Sequence, residues 1–372
     1  KNKGITLIAL VITIIILLIL AGISISALTN QGLFKNAKIA QNATEKAEKE
    51  QGQRLNEYED EINKYLNNAN EDEKIGLITD NINKELSKTD NTKLKDEKGN
   101  RIVVPAGFKI VNGATTVDKG IVIEDVTETA TKGSQFVWIP VGTITKSDGT
   151  TATITLGRYD FDSTTGKESA YSGSYIEEDT NDASTLKKWG NTIAKNITKF
   201  KNSVATNGGY YIGRYEARTA TARNAAGNAL TQITEKGTEN VYNYVTQLQA
   251  AQLSQNMYTS NKFTSDLMNS YAWDTATVFI QNCGTNAKYS RQISLNTSLL
   301  QTGTNSLTDT SKIDVQCNIY DMASNIEEWT TETSYDSDSP CVYRGGFYGN
   351  SDHYTSCRDG NSTSDSNVIV GF

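Results

Sequence analysis

The chain has 372 residues, a hydrophobic fraction of 37% and a formal net charge of −7 at neutral pH. An acidic chain of this kind is not built to track a phosphate backbone, so a general nucleic-acid binder is excluded. The length suits one N-terminal anchor plus one large globular domain, and the polar remainder, rich in Asn, Thr, Ser, Gly and Tyr, suits an exported domain with long loops.

Residues 5–25, ITLIALVITIIILLILAGISI, carry no charge, and nothing ionisable lies between Lys3 and Lys35. At about 1.5 Å per residue such a helix covers roughly 30 Å, the thickness of a bilayer core. Lys1 and Lys3 on its N-terminal side predict a cytoplasmic N-terminus and delivery of the rest outside. A secretory signal peptide fits less well, because its apolar core would be shorter. Residues 27–66 continue the helical pattern, with no proline before Pro105. Leu55, Tyr58, Ile62 and Tyr65 form one apolar stripe, and Glu57, Glu59, Asp60, Glu61 and Lys64 fill the opposite face. The expectation is one long helix over residues 1–66, apolar over 5–25 and amphipathic over 27–66.

The run KGITLIALVITIIILLILAGISI resembles the leader junction and N-terminal helix of type IV pilins and pseudopilins. The resemblance implies cleavage after Gly4, Ile5 as first mature residue, and helices that leave the membrane to self-associate in a filament core. Two positions depart from the family: Ala9 stands where a glutamate is usual, and Ser26 where a proline is. A plain single-span membrane anchor is the alternative.

Residues 67–100 mix charge and Asn and read as a connector, with one short helix around 75–86 and a turn at Gly99-Asn100. From Arg101 to Phe372 the texture is that of a separate domain. RIVVPAGFKIV, GIVIEDV, SQFVWIPVG and GGYYIGRYEA predict short strands closed by Gly or Pro. VYNYVTQLQAAQLSQNMY, with Val245, Leu248, Ala251 and Leu253 on its buried side, and SYAWDTATVFIQNC predict two helices. Long polar insertions lie at 143–173, 177–184 and 217–239. The fold class is α+β.

Four cysteines in an exported domain read as two disulfides. Three connectivities are open. Cys341–Cys357, which flank a polar segment, and Cys283–Cys317 are favoured, and four free thiols are the alternative. DFDSTTG at 160–166 begins Asp-x-Asp but has no glutamate at the twelfth loop position, so it reads as an ordinary turn.

NIYDMASNIEEWT at 318–330, VYRGGFYGN at 342–350 and the closing VIVGF resemble the formylglycine-generating, sulfatase-modifying enzyme family. Val137-Trp138-Ile139-Pro140, residues 211–216 and Ala272-Trp273 fit its other segments. The resemblance implies a C-type-lectin-like domain over 101–372, with two helices around small twisted antiparallel sheets. Ser324, Glu327 and the missing final arginine depart from the pattern. In that family copper sits on two cysteines. Cys357 matches the second, but Asp352 stands at the first, and a carboxylate is a poor ligand for copper(I). His353 is the only histidine, so no two-histidine iron triad can form within one subunit, and no serine sits in G-x-S-x-G. Neither copper nor iron is expected, and no enzyme activity. Calcium is the candidate ion: Asp321 and Glu328 offer hard carboxylate oxygens, and the resemblance adds the carbonyls of Ser324 and Ile326. A Glu328 that only caps a turn is the rival reading.

Residues 347–368, FYGNSDHYTSCRDGNSTSDSNV, are almost wholly Ser, Asn, Asp, Thr, Tyr, Gly and His. Tyrosine supplies rigid contact area, and Ser, Asn and Gly supply adaptable hydrogen bonds. The position between Arg-Gly-Gly and Gly-Phe is similar to the diversified region of C-type-lectin proteins targeted by diversity-generating retroelements. The expected contact face is Tyr348, Asn350, Asp352, His353, Tyr354, Arg358, Asp359 and Asn361, with Trp329 and Arg344 supporting the fold. The functional expectation is a pilin-like subunit of a cell-surface filament. It would be inserted in the plasma membrane before assembly and would display a domain for an unnamed surface or host ligand. A membrane-anchored binding protein outside any filament, a metal-dependent oxidative enzyme and a purely structural subunit are the alternatives.

Overall fold

The structure, a computed structural model, describes residues 11–21, 44, 74–75, 80–111, 115–179, 193, 195–298 and 314–372. The chain divides into two units, Lys1–Glu71 and Asp72–Phe372.

In the first unit the described helix covers residues 11–21. Eleven residues rise about 16 Å, roughly half of a bilayer core. Among the described residues no helix is long and apolar enough to cross a membrane. This corrects the expected long pilin-type helix and, with it, the transmembrane reading. The physical reason lies in what each signal measures. An uncharged run says how far a segment could span, whereas helix length depends on propensity and on packing of a buried face. Here Val11 is 48% and Leu18 67% exposed, so among the described residues this helix leaves its apolar side chains uncovered. Gly4, Ile5, Ala9, Ser26 and the stripe at Leu55–Tyr65 lie outside the described residues.

The second unit is built mostly of small antiparallel sheets with few helices. Its first sheet enters before residue 101. Strand Thr92–Lys95 pairs antiparallel with Arg101–Val104, and Leu94 and Ile102 are fully buried. Part of the expected connector is therefore core. The turn between these strands is made by Asp96, whose carboxylate accepts from Lys98 N, Asn100 N and Asn100 Nδ2. The short helix lies at Asp80–Glu85.

A four-stranded antiparallel sheet follows in the order Gly209–Gly213, Gln135–Pro140, Val122–Asp125, Phe108–Ile110. Its strands are the apolar runs read from the sequence, and Trp138 packs edge-on against Tyr211 across the pairing. A second four-stranded sheet has the order Arg358–Asn361, Cys341–Arg344, Glu327–Thr333, Val370–Gly371, with only the last pair parallel. Helix Ser270–Cys283 packs against a strand of each sheet. Every residue from 272 to 280 is buried, as expected of a helix enclosed on all sides. Asn269 caps it by accepting from Ala272 N. Helix Gln247–Met257 lies on strand Glu327–Thr333 and opens with a capping box, Thr246 with Gln249. A further helix, Ile197–Asn207, was not expected. Its apolar spacing, Ile197, Phe200 and Val204, was legible, and Gly208 closes it in the left-handed conformation.

One close approach sets the position of the segment carrying Cys317. Gly120 has φ +77°, and a Cβ built there would lie 1.8 Å from the Cys317 carbonyl oxygen. Gly120→Ala combines a strained backbone with a backbone clash, and we expect a loss of about 2–3 kcal/mol, read as a lower urea midpoint. An unchanged midpoint would show that this approach is not needed.

All four cysteines are free thiols. The favoured pair Cys341–Cys357 is corrected by register. Cys341 lies opposite Asn361, and Arg344 opposite Arg358. Cys357 therefore falls four residues along the pairing from Cys341, on the order of 13 Å away, well beyond disulfide reach. Cys283 and Cys317 are near enough for the Cys283 thiol to help raise Cys317, after burial, which is the larger cause.

Candidate functional site

The polar segment after Arg344 rests on a buried ionic platform. Asp274, inside helix Ser270–Cys283, accepts from Arg344 at 2.5 Å and from Arg358 at 2.7 Å. Glu332 accepts from Arg358 Nε at 2.8 Å and pairs with Arg158. The side chains of Asp274, Glu332 and Arg344 are fully buried. The Tyr171 ring contacts two guanidinium groups, its centroid 4.3 Å from Arg158 and 4.1 Å from Arg358. Burial works against the Arg358 charge, but Asp274 and Glu332 outweigh it and hold this guanidinium more firmly charged than an ordinary arginine. Arg358, expected on the contact face, is thus part of the platform, while Arg344 supports the fold as the sequence suggested.

Above the platform, residues 345–357 contain no strand or helix, yet their backbone is tied at many points. Trp273 Nε1 donates to the Thr355 carbonyl, Thr355 N to Gln292 O, Tyr348 N to Asn325 O and Gly349 N to Asn296 O. Asn350 Oδ1 accepts from Asp352 N and His353 N, closing an Asx turn. Tyr354 lies under Arg291, whose guanidinium is 3.5 Å from the ring centroid. His353 Nδ1 lies 2.5 Å from Glu327 Oε1.

The expected face is therefore partly brought together. Along strand Arg358–Asn361, Asp359 and Asn361 share the side opposite Arg358. Burial, then Asp359 and Asp365, push the Glu327 carboxyl up to about 8. That places both acids near Glu327 and its partner His353. Asn361 donates to Asp365 at 2.9 Å. Asp352 and Asp359 are exposed, and Tyr348, Asn350, His353, Tyr354 and Asn361 are half-buried. Glu327, Asp365 and Arg291 were not foreseen. The departure of Glu327 from an aromatic in the resembled family was the one available signal.

The calcium residues form a different, buried cluster. Asp321 and Ser324 are 1% exposed, Ile326 is equally enclosed, and Asp321 has a left-handed φ of +63°. Arg218 lies 3.6 Å from Glu216 and 3.9 Å from Asp321. Glu216 accepts from Asn325 Nδ2 and Ile326 N, which fixes the loop without an ion. Burial is the main cause that pushes Glu216 and Glu328 up to about 8 and Asp321 well above its ordinary range. Calcium needs six to eight converging oxygens. Among the described residues no three or more His, Cys, Asp or Glu side chains are grouped to hold a metal, and a guanidinium already sits among these carboxyls. The residues present do not fit calcium.

No family model matches the chain, and no curated protein matches it. Among solved structures, the Treponema denticola variable protein 1 is similar with a TM-score of 0.31 and 12% identity, over 66% of this chain and 96% of that one.

Proposed function

We propose that this chain is a non-catalytic, surface-displayed binding protein whose contact face comprises Tyr348, Asn350, Asp352, His353, Tyr354, Asp359 and Asn361. The observation that carries the reading is the irregular segment 345–357, whose backbone is tied to Trp273, Gln292, Asn296 and Asn325 and, through the Cys357 carbonyl, to Arg344 of the ionic platform, while the side chains of Tyr348, Asn350, Asp352, His353 and Tyr354 stay at least partly accessible. A segment held this way loses little entropy on binding, and binding residues concentrate on loops positioned by a rigid scaffold. Its Tyr, Asn, Ser and Asp content serves adaptable recognition. The same segment would accept side-chain replacement without loss of fold, because most of its ties are made by backbone atoms. We include in the proposal that residues 347–368 are genetically diversified.

The test is binding of the purified chain to immobilised glycan and peptide arrays. Tyr348→Ala and Tyr354→Ala are expected to lower the array signal at least about ten-fold, with thermal unfolding unchanged. Binding that survives both changes, or no binding to any probe, overturns the face. Diversification is tested separately: a near-identical repeat with adenines at the variable codons, beside a reverse transcriptase gene, is expected in the genome.

A further inference from the structure

A cavity of about 830 Å³ opens in the second unit and shares no lining residue with the face described above. Its size is that of a small-molecule site. One wall is a cluster of four rings, Phe108, Phe136, Tyr258 and Phe263, with neighbouring centroids 5.5–6.0 Å apart. Glu235 lines the same cavity. It is 8% exposed, and its Oε2 is buried without a hydrogen-bond partner. Glu328 also lines it, and neither carboxyl makes an ion pair among the described residues, although the charge of Arg218 is near enough to act on both. A buried carboxyl oxygen left without a hydrogen-bond partner beside aromatic rings is costly in an empty cavity, and the same group, once ionised, is a favourable partner for a cation.

We propose that this cavity takes a small organic cation, an ammonium group on an apolar body, with its charge set against Glu235 and its body among the four rings. An ammonium needs one carboxylate and a ring face rather than the six to eight converging oxygens that calcium takes. The groups acting on Glu235 are Arg218, Glu216, Glu328 and Tyr258, and Lys199, Lys262 and Asp266 also line the cavity. Burial keeps Glu235 protonated well above the usual range, so entry of a cation expels a proton from this group.

The experiment is calorimetric titration of the full chain with choline and with butylamine, against their uncharged counterparts dimethylbutanol and butanol. At least one of the two cations is expected to bind saturably, at least ten-fold tighter than its counterpart, with net proton release across buffers of different ionisation enthalpy. Glu235→Gln is expected to abolish the preference for charge while thermal unfolding is retained. Phe263→Ala is expected to weaken both cation and counterpart. Failure of both cations to bind, equal binding of charged and uncharged probes, or a preference that survives in Glu235→Gln overturns the proposal. Array binding through Tyr348 and Tyr354 is a separate readout, so either reading can fail alone.

Discussion

Asp274→Ala is expected to destabilise the second unit by about 3–5 kcal/mol, the range for breaking a buried ion pair from one side. The carboxylate is fully buried and holds Arg344 and Arg358 together. It also accepts from Tyr159 N, so the change orphans one backbone and two guanidinium donors. Removing it leaves Glu332 as the sole carboxylate among Arg158, Arg344 and Arg358. At roughly 2–4 °C per kcal/mol for a domain of this size, the unfolding midpoint is expected to fall by on the order of 10 °C. Asp359→Ala, on the exposed side of the same sheet, is the control and is expected to stay within about 0.5 kcal/mol. Equal effects of the two changes would mean that the platform is not what holds the segment. Array binding is also expected to fall in Asp274→Ala, since the loop loses its base, whereas Tyr348→Ala loses binding alone.

Stability is expected to fall as pH rises from 5 to 9. Glu216, Glu327 and Glu328 are pushed up to about 8, and Asp321 and Glu235 well above their ordinary range, in each case chiefly by burial. An unfolded carboxyl titrates near pH 4, so between that value and about 8 the folded chain holds protons that the unfolded chain has released. Their contribution is fully present below the unfolded value and is lost as pH rises through the folded one. At about 1.4 kcal/mol per pH unit, a single such group contributes on the order of 3–5 kcal/mol over this window. Exposed carboxyls such as Asp90, Asp148 and Asp162 are lowered instead, so their opposite trend is confined to more acidic solution. Urea midpoints at each pH measure the slope, and Glu328→Gln is expected to make it shallower. A flat or rising profile would show that these carboxyls are ionised in the folded state.

Part of this architecture was legible from local pattern. The runs around Val103, Ile123, Trp138 and Tyr211 form strands where their apolar spacing and bounding Gly or Pro placed them. The helix around Trp273 was equally clear, and Ile197, Phe200 and Val204 carried the signal of another that was passed over. The N-terminal run was read too far: apolar content is a statement about solvent preference, and among the described residues no helix is long and apolar enough to cross a membrane. Within the candidate site, the polar composition of residues 347–368 marked the segment. It did not reveal that Arg358 turns inward, because strand alternation separates Arg358 from Asp359 only once the pairing partner is known.

What the sequence by itself determined is the set of short strands and helices, the single histidine and the polar character of the last segment. Each is a property of residues adjacent in the chain. The tertiary structure decided the rest: the pairing of Arg344 with Asp274 across 70 positions, Arg218 among the carboxyls, and a register that keeps Cys341 from Cys357. These depend on burial. A charged side chain accepts a buried place only when a partner from a distant part of the chain meets it there, and nothing in local periodicity names that partner.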